Sequence, residues 1–138
     1  MGRNKRKHNI SMHLEDDLLM ANMDARLIIQ VLVNLINNAI KYTPENSNIS
    51  LNARRVEDKI LIEVQDDGNG VLHPDQLFEM FYTENNRGGD TRRGMGLGLS
   101  LCKSIVLAHG GKIWVENVKP HGACFKFVLD AVEVKLYE

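Results

Sequence analysis

The sequence predicts an α+β domain: a two-layer sandwich in which a mixed, mostly antiparallel sheet of about five strands is covered on one face by about three helices. Three observations carry this expectation. Strand-like alternation occurs towards both ends of the chain, two stretches with helical periodicity lie between, and sequential strands are joined by short polar turns. Strands and helices do not alternate regularly, as a doubly wound parallel fold requires.

Between Asn9 and Leu14, Ile10, Met12 and Leu14 alternate with polar neighbours, the pattern of a half-buried strand. Leu18-Leu19-Met20 suits a second, short one. Asp24 is a good N-cap for a helix reaching about Tyr42. Its apolar residues Leu27, Val31, Leu35 and Ala39 recur every fourth position, joined by Ile28, Leu32, Ile36 and Ile40. Pro44 closes it, because proline supplies no backbone N–H. Ile49, Leu51 and Ala53, then Ile60, Ile62 and Val64, mark two strands around the turn Glu57-Asp58, a hairpin. Asp75 is placed to cap a short helix carrying Leu77, Phe78 and Phe81. Residues 83–95 are polar and glycine-bearing, which predicts a mobile loop. A second long helix is expected from about Gly96 to Ala108, turning Leu97, Leu101, Ile105 and Ala108 inward. Ile113-Trp114-Val115 and Phe125 to Leu129 read as strands turned at Pro120-His121-Gly122. The domain is expected over residues 9–130, with 1–8 a leader or linker and 131–138 a tail.

The totals exclude several classes. A chain of 138 residues fits one domain, and 43% hydrophobic with 25% charged residues describes an ordinary globular protein. Seventeen basic against 18 acidic residues give a net charge of −1, without the basic excess expected of a nucleic-acid binder. No apolar run is long enough to span a membrane, and Arg3 to Lys7 is basic but not followed by the apolar core of a secretory signal. Cys102 and Cys124 sit among apolar residues and read as buried thiols. The five histidines lack metal-ligand spacing; His109, just before Gly110-Gly111, suits a helix cap.

Three stretches are odd for a merely structural domain. Gln30, Asn34, Asn38 and Lys41 share one stripe of the first helix. Amides among Leu35, Ile36, Ala39 and Ile40 are poorly solvated, and an unpartnered buried amide costs about 1–3 kcal/mol, so the stripe suggests a polar ligand. Taken alone, it is equally the pattern of a solvent-facing stripe. Asp66-Asp67-Gly68-Asn69-Gly70 follows a strand, where a carboxylate can accept from an exocyclic amine and glycines admit a planar ring; alone it is an ordinary turn. Gly94-Met95-Gly96-Leu97-Gly98-Leu99 precedes a helix, whose first N–H groups favour phosphate, although neither standard glycine-rich phosphate motif fits. Upstream, Arg87, Arg92 and Arg93 put positive charge where a terminal phosphate would be met.

In this order the stretches resemble the N, G1 and G2 boxes of the ATP-binding domain of sensor histidine kinases, which shares its Bergerat-type fold with gyrase, Hsp90 and MutL. The N box is Asn34 to Pro44, G1 is Asp66-x-Gly68-x-Gly70, and G2 is Gly94-x-Gly96-Leu97-Gly98-Leu99. Phe78-Glu79-Met80-Phe81-Tyr82 looks like the F box, and Ala108 to Ile113 and Gly122 to Phe125 are also typical. Residues 90–105 are similar to the potassium-responsive sensor kinases of the Kdp system. Two departures stand out: Thr83 follows Tyr82 where many members have arginine, and G1 reads Asp-Asn-Gly-Pro-Gly more often than Asp-Asp-Gly-Asn-Gly.

The resemblance implies ATP and Mg²⁺ as ligands. Asn38 should bind the metal with Asn34 beside it, Lys41 should contact phosphate, and Tyr42 should lie along the nucleotide. Asp66 should take the adenine amino hydrogen, with Gly68 and Gly70 beneath the ring. Phe81, Leu97 and Leu99 belong to the pocket. Gly94, Gly96 and Gly98 should form the base of a lid, and Arg87 or Arg92 should replace the missing F-box arginine. The implied activity is transfer of the ATP γ-phosphate to a histidine. None of His8, His13, His73, His109 or His121 lies in the acceptor pattern, so the acceptor is expected on a dimerisation domain outside the chain. A response regulator would receive the phosphate next. The piece alone is expected to be monomeric, a cytoplasmic part of a bacterial, membrane-anchored sensor that itself touches neither membrane nor nucleic acid. Gyrase-type ATPases carry a Glu where Asn34 stands, and an amide is no general base. That ATPase class, an anti-sigma-like serine kinase and a non-catalytic nucleotide-binding module are the alternatives.

Overall fold

The computed structural model describes residues 7–15, 21–79 and 95–132. Strands β1 (Asn9–Leu14), β2 (Asn48–Val56), β3 (Lys59–Asp66), β4 (Lys112–Asn117) and β5 (Ala123–Asp130) form one sheet in the order β1-β2-β3-β5-β4. Only β1 and β2 are parallel; the helix α1 (Ala25–Lys41) makes the crossover that parallel pairing requires. The other pairs are antiparallel, and helix α2 (Met95–Ala108) precedes β4. The layers and strand number match the expectation. None of the described helices is long and apolar enough to cross a membrane.

Helix α1 starts where Asp24 Oδ1 accepts the Arg26 N–H at 3.1 Å and ends where the Tyr42 N–H reaches Asn38 O at 3.1 Å, just before Pro44. Ile28, Val31, Leu35 and Ala39 are buried against Ile49, Val64, Phe125, Phe127 and Leu129, which form the core between the layers. Helix α1 lies over β2 and β3 and alongside α2. It leaves β1 at the sheet edge, so Ile10, Met12 and Leu14 are 54–62% exposed rather than half-buried.

Helix α2 is rotated from its expected phase. Leu99, Cys102, Ile105 and Val106 are buried, whereas Leu101 and Ala108 are exposed. Its sequence is apolar on nearly every side, so periodicity alone cannot choose the inward face. The short helix after Asp75 is a second difference. Residues 74–78 make consecutive turns, with the Gln76 N–H to His73 O and the Glu79 N–H to Gln76 O both at 3.0 Å. Leu77 and Phe78 are nevertheless buried, Phe78 edge-on to Phe125 at 6.0 Å between ring centroids. Tertiary packing places both rings without a helix. Leu18-Leu19-Met20, Phe81 and the expected loop up to Gly94 lie outside the described residues.

His109 fastens the far ends of the two helices. Its Nδ1 donates to Ile105 O at 2.8 Å, capping α2 as expected, and its Nε2 accepts the Asp24 N–H at 3.0 Å. On the uncovered face of the sheet, Lys126 Nζ lies 3.4 Å from Glu63 and 3.2 Å from Glu116, a polar surface.

Candidate functional site

Asp66, the last residue of β3, pairs with Ile49, which faces the core, so its side chain is directed to the helix layer at the end of the sheet. It is buried, and its Oδ1 accepts the Gly68 N–H at 2.9 Å and the Ala123 N–H at 3.3 Å. Beyond Asp66 the chain turns tightly beside Thr43: a Cβ on Gly68 would come within 2.6 Å of the Thr43 methyl. Glycine is therefore required there by close approach.

The stripe on α1 enters the protein by degrees. Gln30 is exposed, Asn34 half-buried and Asn38 only 3% exposed, while Lys41 returns to solvent with Nζ 5.6 Å from the Tyr42 ring centroid. Asn34 lies beside the Cys102 thiol of α2. The Asn38 Oδ1 is buried with no hydrogen-bond partner among the described residues. Buried polar atoms are nearly always satisfied, so this atom calls for an explanation.

Asn38, Tyr42, Asp66 and Gly70 line one cleft, with Thr43, Val71 and Phe125 among its walls. The structure thus brings together Asn38 and Tyr42 of the N box with Asp66 and Gly70 of G1, whereas Asn34, Lys41 and Gly68 are not in the cleft lining. The cleft is narrow, about 10 Å³, room for a water and not for a purine, so a nucleotide base needs its walls to move. Gly96, Leu97, Gly98 and Leu99 lie in the first turns of α2 rather than in a loop. Leu99 is a core residue, whereas a Cβ at Gly98 would meet nothing within 4 Å among the described residues. The other expected residues, Phe81, Arg87, Arg92, Arg93 and Gly94, lie outside the described residues.

Several residues that brace the cleft were missed by sequence reasoning. The Thr43 hydroxyl donates to Ala39 O at 2.6 Å, so it can only accept from His8 Nε2, 3.0 Å away. His121 Nδ1 donates to Asp67 O at 2.7 Å. Asn48 holds the Asp67 carboxylate through its backbone N–H and its side-chain amide, both at 2.8 Å. Burial opposes ionisation of Asp67, but the Asn48 donors and the nearby His121 outweigh it and keep the carboxyl below its ordinary range. Both buried cysteines are protonated thiols at neutral pH. Burial pushes the Cys102 thiol up to about 11 and that of Cys124 up to about 12.

The family model of histidine kinase-, DNA gyrase B- and HSP90-like ATPases matches residues 23–133, which span α1, the cleft and α2. The chain belongs to this family. It is 40% identical over 124 residues to the sensor protein KdpD of Clostridium acetobutylicum, covering 88% of this chain and 14% of that protein. It is also 40% identical over 123 residues to the adaptive-response sensory kinase SasA of Gloeothece citriformis, covering 87% of this chain and 31% of that protein. The chain therefore spans a third or less of these relatives. Among solved structures, the catalytic domain of histidine kinase ThkA superposes with a TM-score of 0.77 at 32% identity, over 89% of this chain and 80% of that one. ThkA in complex with the response regulator protein TrrA matches with a TM-score of 0.74 at 30% identity, over 91% of this chain and 34% of that one. The fold is that of histidine kinase catalytic domains, and ATP binding belongs to it.

Proposed function

We propose that this domain binds Mg-ATP in the cleft between α1 and the loop following β3, and donates the γ-phosphoryl group to a histidine on the dimerisation domain of a larger sensor kinase. The observation that carries this reading is the buried, unpartnered Asn38 Oδ1 in the same cleft as the Asp66 carboxylate. Asp66 accepts the adenine amino hydrogen; guanine has a carbonyl at that position, which a carboxylate repels. An uncharged amide oxygen suits Mg²⁺, a hard and strongly hydrated ion that offsets phosphate charge when bound. Among the described residues no cluster of His, Cys, Asp and Glu competes for a metal. Asn34 and Lys41 extend the polar stripe towards the phosphates, with Tyr42 along the base. The early N–H groups of α2, next to Gly98, favour anions. The sequence alone adds Phe81, Arg87, Arg92, Arg93 and the glycines of a lid.

Transfer of this kind depends on positioning and charge neutralisation rather than on covalent help. Asn34 cannot accept a proton from water, which favours transfer over hydrolysis. A response regulator would take the phosphate onward, as the ThkA–TrrA pair suggests. The domain would act on the cytoplasmic side of a bacterial sensor protein.

Calorimetry with ATP, in Mg²⁺ and then in EDTA, should show binding that weakens when the metal is removed. Labelled γ-phosphate should appear on an added dimerisation domain and not on this chain. Steady phosphate release without an acceptor would instead mark an ATPase, and absence of ATP binding would leave a non-catalytic module.

A further inference from the structure

Asn117, the last residue of β4, has no role in the reading above, although its side chain reaches the cleft wall. Its Oδ1 accepts the Val71 N–H at 2.7 Å and its Nδ2 donates to Val71 O at 2.9 Å. One side chain thus satisfies both main-chain groups of a residue 46 positions away, as a neighbouring strand would. Val71 is 7% exposed, lines the cleft and belongs to the core cluster. It directly follows Gly70, whose φ of +82° suits glycine, and a Cβ on Gly70 would stand 2.6 Å from Asn117 Oδ1. The clamp and the glycine are therefore matched: the amide sits where any other residue at position 70 would put its side chain.

From this geometry we propose that Asn117 is a positioning residue for nucleotide binding, setting the Gly70–Val71 wall that the adenine ring must meet. This rests on the Mg-ATP reading of the cleft. The other contacts of the loop lie nearer its start: Asp66 holds Gly68, and His121 holds Asp67 O and Gly68 O. Asn117 instead hydrogen-bonds the main chain of Val71, where the chain leaves the cleft. Asn117 itself is exposed at the sheet rim, so its replacement disturbs no core packing.

The test compares the unaltered chain with Asn117→Leu, which removes both bonds at similar volume, and Asn117→Ser, which keeps at most one. Hydrogen exchange of the Val71 amide and ATP affinity are measured well below each melting temperature. Exchange at Val71 should quicken at least tenfold in N117L while amides of β3 and β5 keep their protection. ATP affinity should fall about tenfold, by the worth of two neutral hydrogen bonds. ADP should lose the same factor, because the wall meets the base and not the γ-phosphate. N117S should fall between, or carry the test alone if N117L does not fold. Unchanged affinity in folded variants of a chain that binds ATP would overturn the role of Asn117 alone. A loss confined to ATP would also overturn it. An unaltered chain that binds no ATP would overturn the Mg-ATP reading together with it.

Discussion

The two walls of the cleft are finished to different degrees. On the sheet side, Asp66 anchors Gly68 and Ala123, His121 holds the Asp67 carbonyl, Asn48 holds its carboxylate, and Asn117 holds Val71. Each of these polar groups has a protein partner. On the helix side, the Asn38 Oδ1 is buried with none among the described residues. In the proposed reading, the hydrogen-bonded wall is the one that meets the base once the narrow cleft opens, and the buried acceptor on the other wall is completed by the ligand. The cost of that orphan atom, about 1–3 kcal/mol, is returned on binding.

The largest effect should come from inverting the finished wall. In Asp66→Asn the amide oxygen can still accept from Gly68 and Ala123, so the loop keeps its shape. The new NH₂, however, faces the adenine amine as a donor. A hydrogen bond to a charged group is worth about 1.5–3 kcal/mol, so ATP affinity should fall roughly 10- to 100-fold, and GTP should lose less. The melting temperature should move by only a few degrees. Equal ATP affinity in D66N would take the sheet-side wall out of base recognition.

The unfinished wall should respond in the opposite manner. Asn38→Ala deletes the orphan acceptor and leaves a small void, and the two effects offset each other in the free protein. The melting temperature without ligand should therefore hardly move. The part of ATP affinity that depends on Mg²⁺ should fall about tenfold, while binding in EDTA stays as it was. Thermal shifts with ATP in Mg²⁺ and in EDTA read both quantities at once. A free protein strongly destabilised by N38A would make the amide a structural group and remove the contrast between the walls.

How far each wall was legible in the sequence follows from how local its causes are. Asp24 caps α1, Glu57-Asp58 turns the hairpin, and Asn38 and Asp66 meet at one cleft, all signalled by residues within a few positions or by an ordered set of motifs. The phase of α2 was not legible, because Leu99, Leu101, Cys102, Ile105 and Val106 are all apolar and only the sheet beneath decides which turn inward. The turns after Asp75 resemble a helix in sequence because Asp75 suits an N-cap and Leu77, Phe78 and Phe81 fall at helical spacing. The braces at Asn48, Asn117 and His121 escaped for another reason. Their partners lie 19, 46 and 54 residues away, and a lone polar residue at a strand end carries no local sign of such a contact.

The smallest effect tests the outermost brace, where Asp67 meets Asn48 in partial contact with solvent. Asn48→Ala removes the side-chain donor and keeps the backbone one. The folded Asp67 carboxyl titrates below its ordinary value of 3.8, so the bonded, ionised form stabilises the fold above that pH, and this contribution disappears as pH falls through the folded value. N48A raises the folded value back towards 3.8. At neutral pH the variant should melt about 1–2 °C lower, as suits a solvent-screened contact. The gap should hold down to about pH 4, then close under more acid conditions as both proteins protonate the group. A gap that persisted unchanged at pH 2 would mean that Asn48 acts through its other contact, the bond its Oδ1 accepts from Asn9 Nδ2 at 3.2 Å, and not through the charge of Asp67. The sheet-side wall would then be held by the Asp66, His121 and Asn117 contacts alone.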